Sequence, residues 1–248
     1  MNYTNYKNTF HYEKARKVYP RDSFQVKSSP FEIVCKRAFD VIVSLVIIIF
    51  ILSWLLPILA ICIKLNSAGP VFFLQKRIGL AGRSFTCLKL RTMIVNKEAN
   101  CQQASLNDPR ITSFGNFLRI SCLDELPQFF NVLMGQMSVV GPRPHMVKDC
   151  SQFSDAIENY NLRNKVKPGI TGMAQVKGYR GHTVNFYDMF HRYKWDIFYI
   201  RNLSFNLDMK IIRLTITSTF KAVFSKLFST RQRIQKISYQ FEAPEYLN

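Results

Sequence analysis

The sequence predicts an α/β protein in three parts: a membrane-inserted apolar helix, a small domain of short strands and helices, and an amphipathic helix suited to a membrane interface. Three observations carry this. Val41 to Ile63 is apolar apart from Ser44, Ser53 and Pro57. The roughly 140 residues that follow mix short β-type runs with amphipathic stretches and are punctuated by Gly and Pro. Near the C-terminus, Ile212, Ile216, Phe220, Phe224 and Phe228 recur every four residues, the period of one helix face.

Composition narrows the partners. With 248 residues, 48% of them apolar, the chain can bury the core of one domain. Its 34 Lys and Arg against 16 Asp and Glu leave a formal charge of +18, which calls for an anionic bilayer, phosphorylated substrates or nucleic acid. The basic residues are spread along the chain and form no nucleic-acid motif, so no nucleic-acid partner is expected. The cysteines, Cys35, Cys62, Cys87, Cys101, Cys122 and Cys150, make no CxxC pair, and His182 and His191 complete no zinc pattern. A reduced, cytosol-facing setting follows. The first residues are polar and aromatic, without the apolar core of a signal peptide.

The 23 residues from Val41 to Ile63 suffice to cross a hydrocarbon layer of about 30 Å. Lys36 and Arg37 precede them, and Lys64, Lys76, Arg77 and Arg83 follow. Positive charge marks the cytoplasmic side, so both ends read as cytoplasmic. A helix that enters one leaflet, breaks and returns satisfies both flanks; a single crossing helix is the alternative. Pro57 supplies a break, because it lacks an N–H and clashes with the preceding turn. Ser53 can hydrogen-bond a backbone group so freed. The C-terminal stripe shares its segment with Lys210, Arg213, Lys221 and Lys226, as an interfacial helix would, or it packs on the protein's own core. Arg231, Arg233 and Lys236 extend the basic character, and the last dozen residues read as a loose tail.

The run Gly69 to Gly79, a turn at Ala81-Gly82 and the run Ser84 to Met93 predict a β-hairpin. Lys89 and Arg91 share a face of its second strand, placed to grip phosphate oxygens or simply to be solvated. Residues 96 to 110 are a polar loop ending in Asn107-Asp108-Pro109-Arg110. Arg119 then stands five residues before the adjacent acids Asp124 and Glu125, with Pro127 beyond. Asp124 could cap a helix starting at Leu126-Pro127. Alternatively the two carboxylates, costly side by side without a cation, form a site for a divalent metal and a phosphate with Arg119 and Arg143. Arg143 lies between two prolines that stiffen its loop for bidentate phosphate contact, or it is a surface-loop arginine with no ligand. Lys165 to Gly181 is glycine-rich and basic, as an anion-binding nest would be.

Taken together, KRAFD (Lys36 to Asp40), GPVFFLQKRIG, KLRTM, DPRIT (Asp108 to Thr112), LDELPQFFNVL (Leu123 to Leu133), MSVVGPRP, KPGITGMAQV and DIFYIRNLSFNLDMKII (Asp196 to Ile212) resemble the bacterial sugar transferases, the monotopic phosphoglycosyl transferases. The likeness covers about residues 31 to 215, and the AQVKGYRG form and the lead-in SPFEIVCKRAFD are most similar to the undecaprenyl-phosphate glucose phosphotransferases. It implies a re-entrant membrane helix followed by a cytosolic α/β catalytic domain at the inner-membrane surface of a bacterium. It further implies transfer of a hexose 1-phosphate from a UDP-sugar to undecaprenyl phosphate, with release of UMP, as a first step in exopolysaccharide, capsule or O-antigen synthesis. Carried onto this chain, Asp124 is the nucleophile that becomes phosphoglycosylated. Glu125 with Asp124 is the Mg²⁺ site, Arg119, Arg143 and Lys89 are phosphate ligands, and Asp196 and Asp208 are secondary candidates. The implied division is an extension over 1–35, the re-entrant helix over 36–66, the catalytic domain over 67–230 and a tail over 231–248.

Two features differ from the family pattern. Trp54, not proline, follows Ser53, which shifts the expected break, and few residues precede the membrane segment, as in a minimal form or a fragment. Apolar residues on the interfacial segments leave room for a homodimer among the inner-membrane lipids. The non-enzymatic alternative is a basic, membrane-anchored binding or scaffold protein in which Asp124 has no chemical role.

Overall fold

The computed structural model describes residues 26, 29–96, 104–105, 108–180 and 186–241. Most of the expected extension over 1–35, much of the polar loop and the residues past 241 lie outside this set.

The chain is a mixed helix and sheet structure with one long apolar helix near its start. Helix α1 (Pro30–Ile47) begins six residues before the boundary expected at 36, because Ser29, Pro30 and Glu32 form a start signal. Ser29 accepts from the Glu32 backbone and Glu32 reaches back to the Ser29 N–H, with proline at the first helical turn. A π-turn over Ile48–Leu52 leads into α2 (Ser53–Asn66), and together they make 37 residues long and apolar enough to cross a membrane. The irregularity expected at Pro57 therefore sits one turn earlier. Pro57 itself is in regular helix, and the mismatch its ring creates is relaxed upstream. The Ser53 hydroxyl donates to the Ile49 carbonyl at 2.5 Å and the Trp54 indole to that of Phe50 at 2.8 Å, so the distorted turn keeps its polar groups satisfied.

Both ends of this helix dock on the same domain. At one end Lys36 donates to the Val140 carbonyl and pairs with Asp208, while Arg37 donates to the carbonyls of Val132 and Leu133. Buried Asp40 accepts from Ser138 Oγ at 3.0 Å and the Val139 N–H at 2.9 Å. At the other end Leu59 and Ile63 pack on Leu90 and Leu118. Between them an outer face including Ile42, Ile49, Phe50, Trp54, Ile58 and Ile61 is exposed.

Strands β1 (Phe72–Ile78) and β2 (Ser84–Leu90) form the expected antiparallel hairpin. Its turn takes Ala81 and Gly82 through positive φ, 54° and 77°, which Gly82 adopts without strain. Then come α3 (Ser113–Ser121), a 3₁₀ turn (Leu123–Glu125), α4 (Gln128–Leu133), β3 (Ser138–Val140), α5 (Val147–Ala156), a 3₁₀ segment (Tyr160–Lys165), β4 (Gly169–Thr171), α6 (Met173–Val176), α7 (Phe186–Arg201) and α8 (Phe205–Phe241). Strands β3 and β4 pair in parallel. The core gathers Val132 from α4, Tyr193 and Ile197 from α7, Ile211 from α8, and Met137 and Ile157 from the connections after α4 and α5.

Two glycines of the 165–181 run bring backbones together: a Cβ on Gly169 would meet the Gly141 nitrogen at 2.1 Å, and one on Gly172 the Gly141 carbonyl oxygen at 2.2 Å. The boundary set at 230 falls inside α8, which is helical to Phe241. On α8, Ile211 is buried and Ile212 packs against the core, whereas Ile216, Phe220, Phe224 and Phe228 are exposed, so the stripe faces outward from Ile216 onward.

Candidate active site

A cavity of about 530 Å³ opens between the hairpin, the α3–α4 corner and the loop before α5. The hairpin register builds one wall. Phe73 opposes Lys89 and Gln75 opposes Cys87, and directly paired residues share a sheet face. Gln75, Arg77, Lys89 and Arg91 thus line one side. Arg119, Asp124, Arg143, His145, Asp149 and Arg192 complete the lining.

The α3–α4 corner sets the acids. Cys122 ends α3 in the left-handed region at φ 61°, a 3₁₀ turn carries Asp124 and Glu125, and Pro127 leads into α4. The helix-capping role considered for Asp124 is not taken up: α4 has Pro127 at its N-cap position and no side-chain cap. Glu125 is instead clamped. Its Oε1 accepts from Lys89 Nζ at 2.8 Å and Arg143 Nη2 at 2.6 Å, and its Oε2 from Arg143 Nη1 at 3.2 Å. Those two cations hold the Glu125 carboxyl well below the usual range despite burial.

Asp124, 9% exposed, has no side-chain hydrogen-bond partner among the described residues. Burial first, and the neighbouring Glu125 charge second, push its carboxyl up to about 6, against the pull of Lys89, Arg119 and Arg143. A buried carboxylate open to a cation-lined cavity is able to serve as a nucleophile or a metal ligand. Arg119 is comparably uncommitted: among the described residues its one hydrogen bond is a long 3.5 Å contact to Thr92 Oγ1.

The structure brings Asp124, Glu125, Arg119, Arg143 and Lys89 together as expected. It does not bring Asp196 and Asp208 to the cavity. Asp196 is buried against Arg163 at 2.7 Å, and Arg163 also donates to the Arg143 carbonyl at 2.7 Å, so Asp196 supports the Arg143 loop from behind. Asp208 ties Lys36 and Tyr199 together, joining α1 to α7 and α8. Arg91 is anchored by the carbonyls of Ser67 and Ala68 at 2.6 and 2.7 Å, which fixes the exit of α2 beside the cavity. Sequence reasoning missed Arg77, His145, Asp149 and Arg192. Arg77 alone carried a signal, standing on the same strand face as Gln75 two residues away.

No group of three or more metal-binding side chains occurs among the described residues. Mg²⁺ needs fewer, since it is held by one or two carboxylates plus substrate phosphates and water. Asp124 has free oxygens and Glu125 Oε2 carries only the long 3.2 Å bond, so the adjacent pair fits such an ion.

A cation-lined cavity built around an adjacent carboxylate pair suits an anionic ligand, and the same chain carries a helix long and apolar enough to cross a membrane. Residues 31–222 match the family described as bacterial sugar transferase, and the chain belongs to that family. The chain is 50% identical over 75% of its length to a UDP-glucose:undecaprenyl-phosphate glucose-1-phosphate transferase of Klebsiella pneumoniae. It is 47% identical over 75% of its length to the protein of the same name from Escherichia coli K12. In both cases it spans 40% of the relative's length. It is also 39% identical to exopolysaccharide production protein PSS of Rhizobium leguminosarum, over 75% of this chain and 96% of that protein.

Proposed function

We propose that the chain transfers a hexose 1-phosphate from a UDP-sugar to undecaprenyl phosphate through a covalent phosphosugar on Asp124. The observation that carries this is the buried, unpaired Asp124 carboxylate in a cavity lined by Arg77, Lys89, Arg91, Arg119, Arg143 and Arg192. The names of the relatives support the choice of donor and acceptor.

An Asp124 oxygen attacks the β-phosphorus of the UDP-sugar. The bond from that phosphorus to the bridging oxygen breaks, and UMP leaves with the oxygen and its electron pair. A phosphate oxygen of undecaprenyl phosphate then attacks the same phosphorus, restoring the carboxylate and giving an undecaprenyl diphosphosugar. The covalent step divides one difficult transfer into two. Arg119 and Arg143 are placed to neutralise phosphoryl oxygens as charge shifts to the leaving group. The clamp on Glu125 keeps Arg143 oriented before substrate arrives. Mg²⁺, held by Asp124 and Glu125, would supply charge neutralisation of the diphosphate.

Topology is part of the same proposal: α1 and α2 form a re-entrant insert in the inner leaflet, with the domain on the cytoplasmic face. About 35 Å separates Asp40 from Ile63 along a straight helix at about 1.5 Å per residue, yet both are buried against the one charged domain. Such a domain cannot lie in hydrocarbon beside a crossing helix. The exposed stripe on α8 suits the same surface, and the acceptor phosphate meets Asp124 at headgroup level without its chain entering water.

The test is product identity. Purified protein in lipid with Mg²⁺, UDP-glucose and undecaprenyl phosphate should release UMP; release of UDP, with the sugar alone transferred, would sink the proposal.

A further inference from the structure

Arg143 stands between Pro142 and Pro144, and neither proline has an N–H with which to tie the loop down. The loop is held by its carbonyls instead. Four in succession accept: Pro142 from the Gly169 N–H at 2.9 Å, Arg143 from Arg163 Nη2 at 2.7 Å, Pro144 from Arg77 Nη1 at 2.6 Å and His145 from the Ile78 N–H at 3.0 Å. The donor at Arg143 itself is a side chain that does not line the cavity.

Arg163 is 3% exposed. Nε and Nη2 donate to Asp196 Oδ2 at 3.1 and 2.7 Å, Nη2 also to the Arg143 carbonyl, and Nη1 to His145 Nδ1 at 2.7 Å and Tyr160 Oη at 2.9 Å. Every N–H of the guanidinium fork is thereby used. Tyr160 and Arg163 lie three apart in a 3₁₀ segment, where such residues eclipse and reach the same side, and Asp196 comes from α7. A buried ion pair of this kind adds little stability over well-packed apolar side chains. What apolar side chains could not do is aim an N–H at the Arg143 carbonyl. The far end of Arg143 has a second hold, on Glu125. A substrate phosphate would compete for those N–H groups, whereas it does not compete for the backbone hold.

We infer that Arg163, fixed by Asp196, is a positioning residue that sets the Arg143 guanidinium where the phosphoryl group needs it. This rests on the transferase reading and deepens it. A shift of about 1 Å in such a group costs up to about a hundredfold in rate, so the effect is large although Arg163 touches no substrate.

The test is a double-mutant cycle on the full chain in lipid: wild type, Arg163→Lys, Asp196→Asn, Arg143→Ala, and Arg143→Ala combined with each of the first two. Lysine keeps a positive charge opposite Asp196 but cannot fork to the Arg143 carbonyl and Tyr160 as well. Asparagine keeps an acceptor without the charge, and serves if Arg163→Lys does not fold. Unfolding in one detergent gives the folded fraction. Two quantities are read per folded protein: UMP release from the best of UDP-glucose, UDP-galactose and their N-acetylated counterparts, and the Kd of UDP with Mg²⁺, which needs no turnover. With Arg143 present, Arg163→Lys should lower kcat/KM by about tenfold or more and weaken UDP binding by about threefold or more, and Asp196→Asn should do the same to a smaller extent. In the Arg143→Ala background each should change either quantity by less than about twofold, because no guanidinium remains to be oriented. A merely structural role lowers both backgrounds by the same factor; that result, or wild-type kcat/KM in folded Arg163→Lys, would overturn the inference. A wild type that binds UDP but releases no UMP would sink the transferase reading alone, and the cycle in UDP binding would still decide the positioning role.

Discussion

Replacing Asp124 with asparagine should abolish transfer and at the same time make the free protein more stable. The wild-type carboxyl rises from 3.8 to about 6 on folding, and each tenfold change in proton affinity is worth about 1.4 kcal/mol. Keeping Asp124 ionised in the folded state thus costs about 3 kcal/mol, a cost that a neutral amide of the same shape does not carry. The sign fixes a pH window. Because the folded value lies above the unfolded one, the wild type holds its full relative stability below about pH 4 and loses it as pH rises through about 6. Asparagine does not titrate. The variant's advantage should be absent at pH 4, open across that window and stay level above it. For a chain of this size about 1 kcal/mol moves the melting temperature by about 2–4 °C, so a gain of several degrees is expected at pH 8. Thermal unfolding of both proteins in one detergent at pH 5, 6, 7 and 8 measures it. A variant no more stable than wild type at pH 8, or an advantage independent of pH, would refute the picture of a buried, unpaired carboxylate.

Four further outcomes follow from the same geometry. In wild type, kcat/KM for UMP release should rise about tenfold per pH unit below about pH 6 and level off above it, because only ionised Asp124 attacks; a pH–rate profile checks this. Removing divalent metal with a chelator should eliminate UMP release, and added Mg²⁺ should restore it. Asp40→Ala strips the acceptor from the buried Val139 N–H and the Ser138 hydroxyl, at a cost of about 1–3 kcal/mol read as a lower melting temperature. Gly115→Ala places a Cβ 2.0 Å from the Thr92 carbonyl oxygen; it should cost about 1–3 kcal/mol and, by shifting α3 under Arg119, lower kcat/KM in the fraction that still folds.

Local pattern made some of this visible in the sequence. The hairpin was readable because its turn residues sit between two β-type runs, and the start of α1 could be read from Ser29, Pro30 and Glu32, although the expected boundary fell six residues later. Asp124, Glu125, Arg119, Arg143 and Lys89 converge as expected because most sit at or near the corners of short elements. What stayed hidden depends on distance along the chain. Lys36 meets Asp208 across 172 positions, and Arg192 reaches the cavity from a helix that begins 40 residues after Met146. No spacing rule reports such meetings. The glycine-rich stretch was ambiguous for a related reason: glycine serves anion binding and close backbone approach equally, and for Gly169 and Gly172 the contact with Gly141 shows close approach.

The most direct test of the covalent step is mass spectrometry of an active preparation quenched with UDP-glucose present and acceptor withheld. The peptide containing Asp124 should carry one added hexose phosphate, discharged when undecaprenyl phosphate is supplied. An active enzyme with no adduct, or with the phosphosugar on any other side chain, would contradict the role given to Asp124.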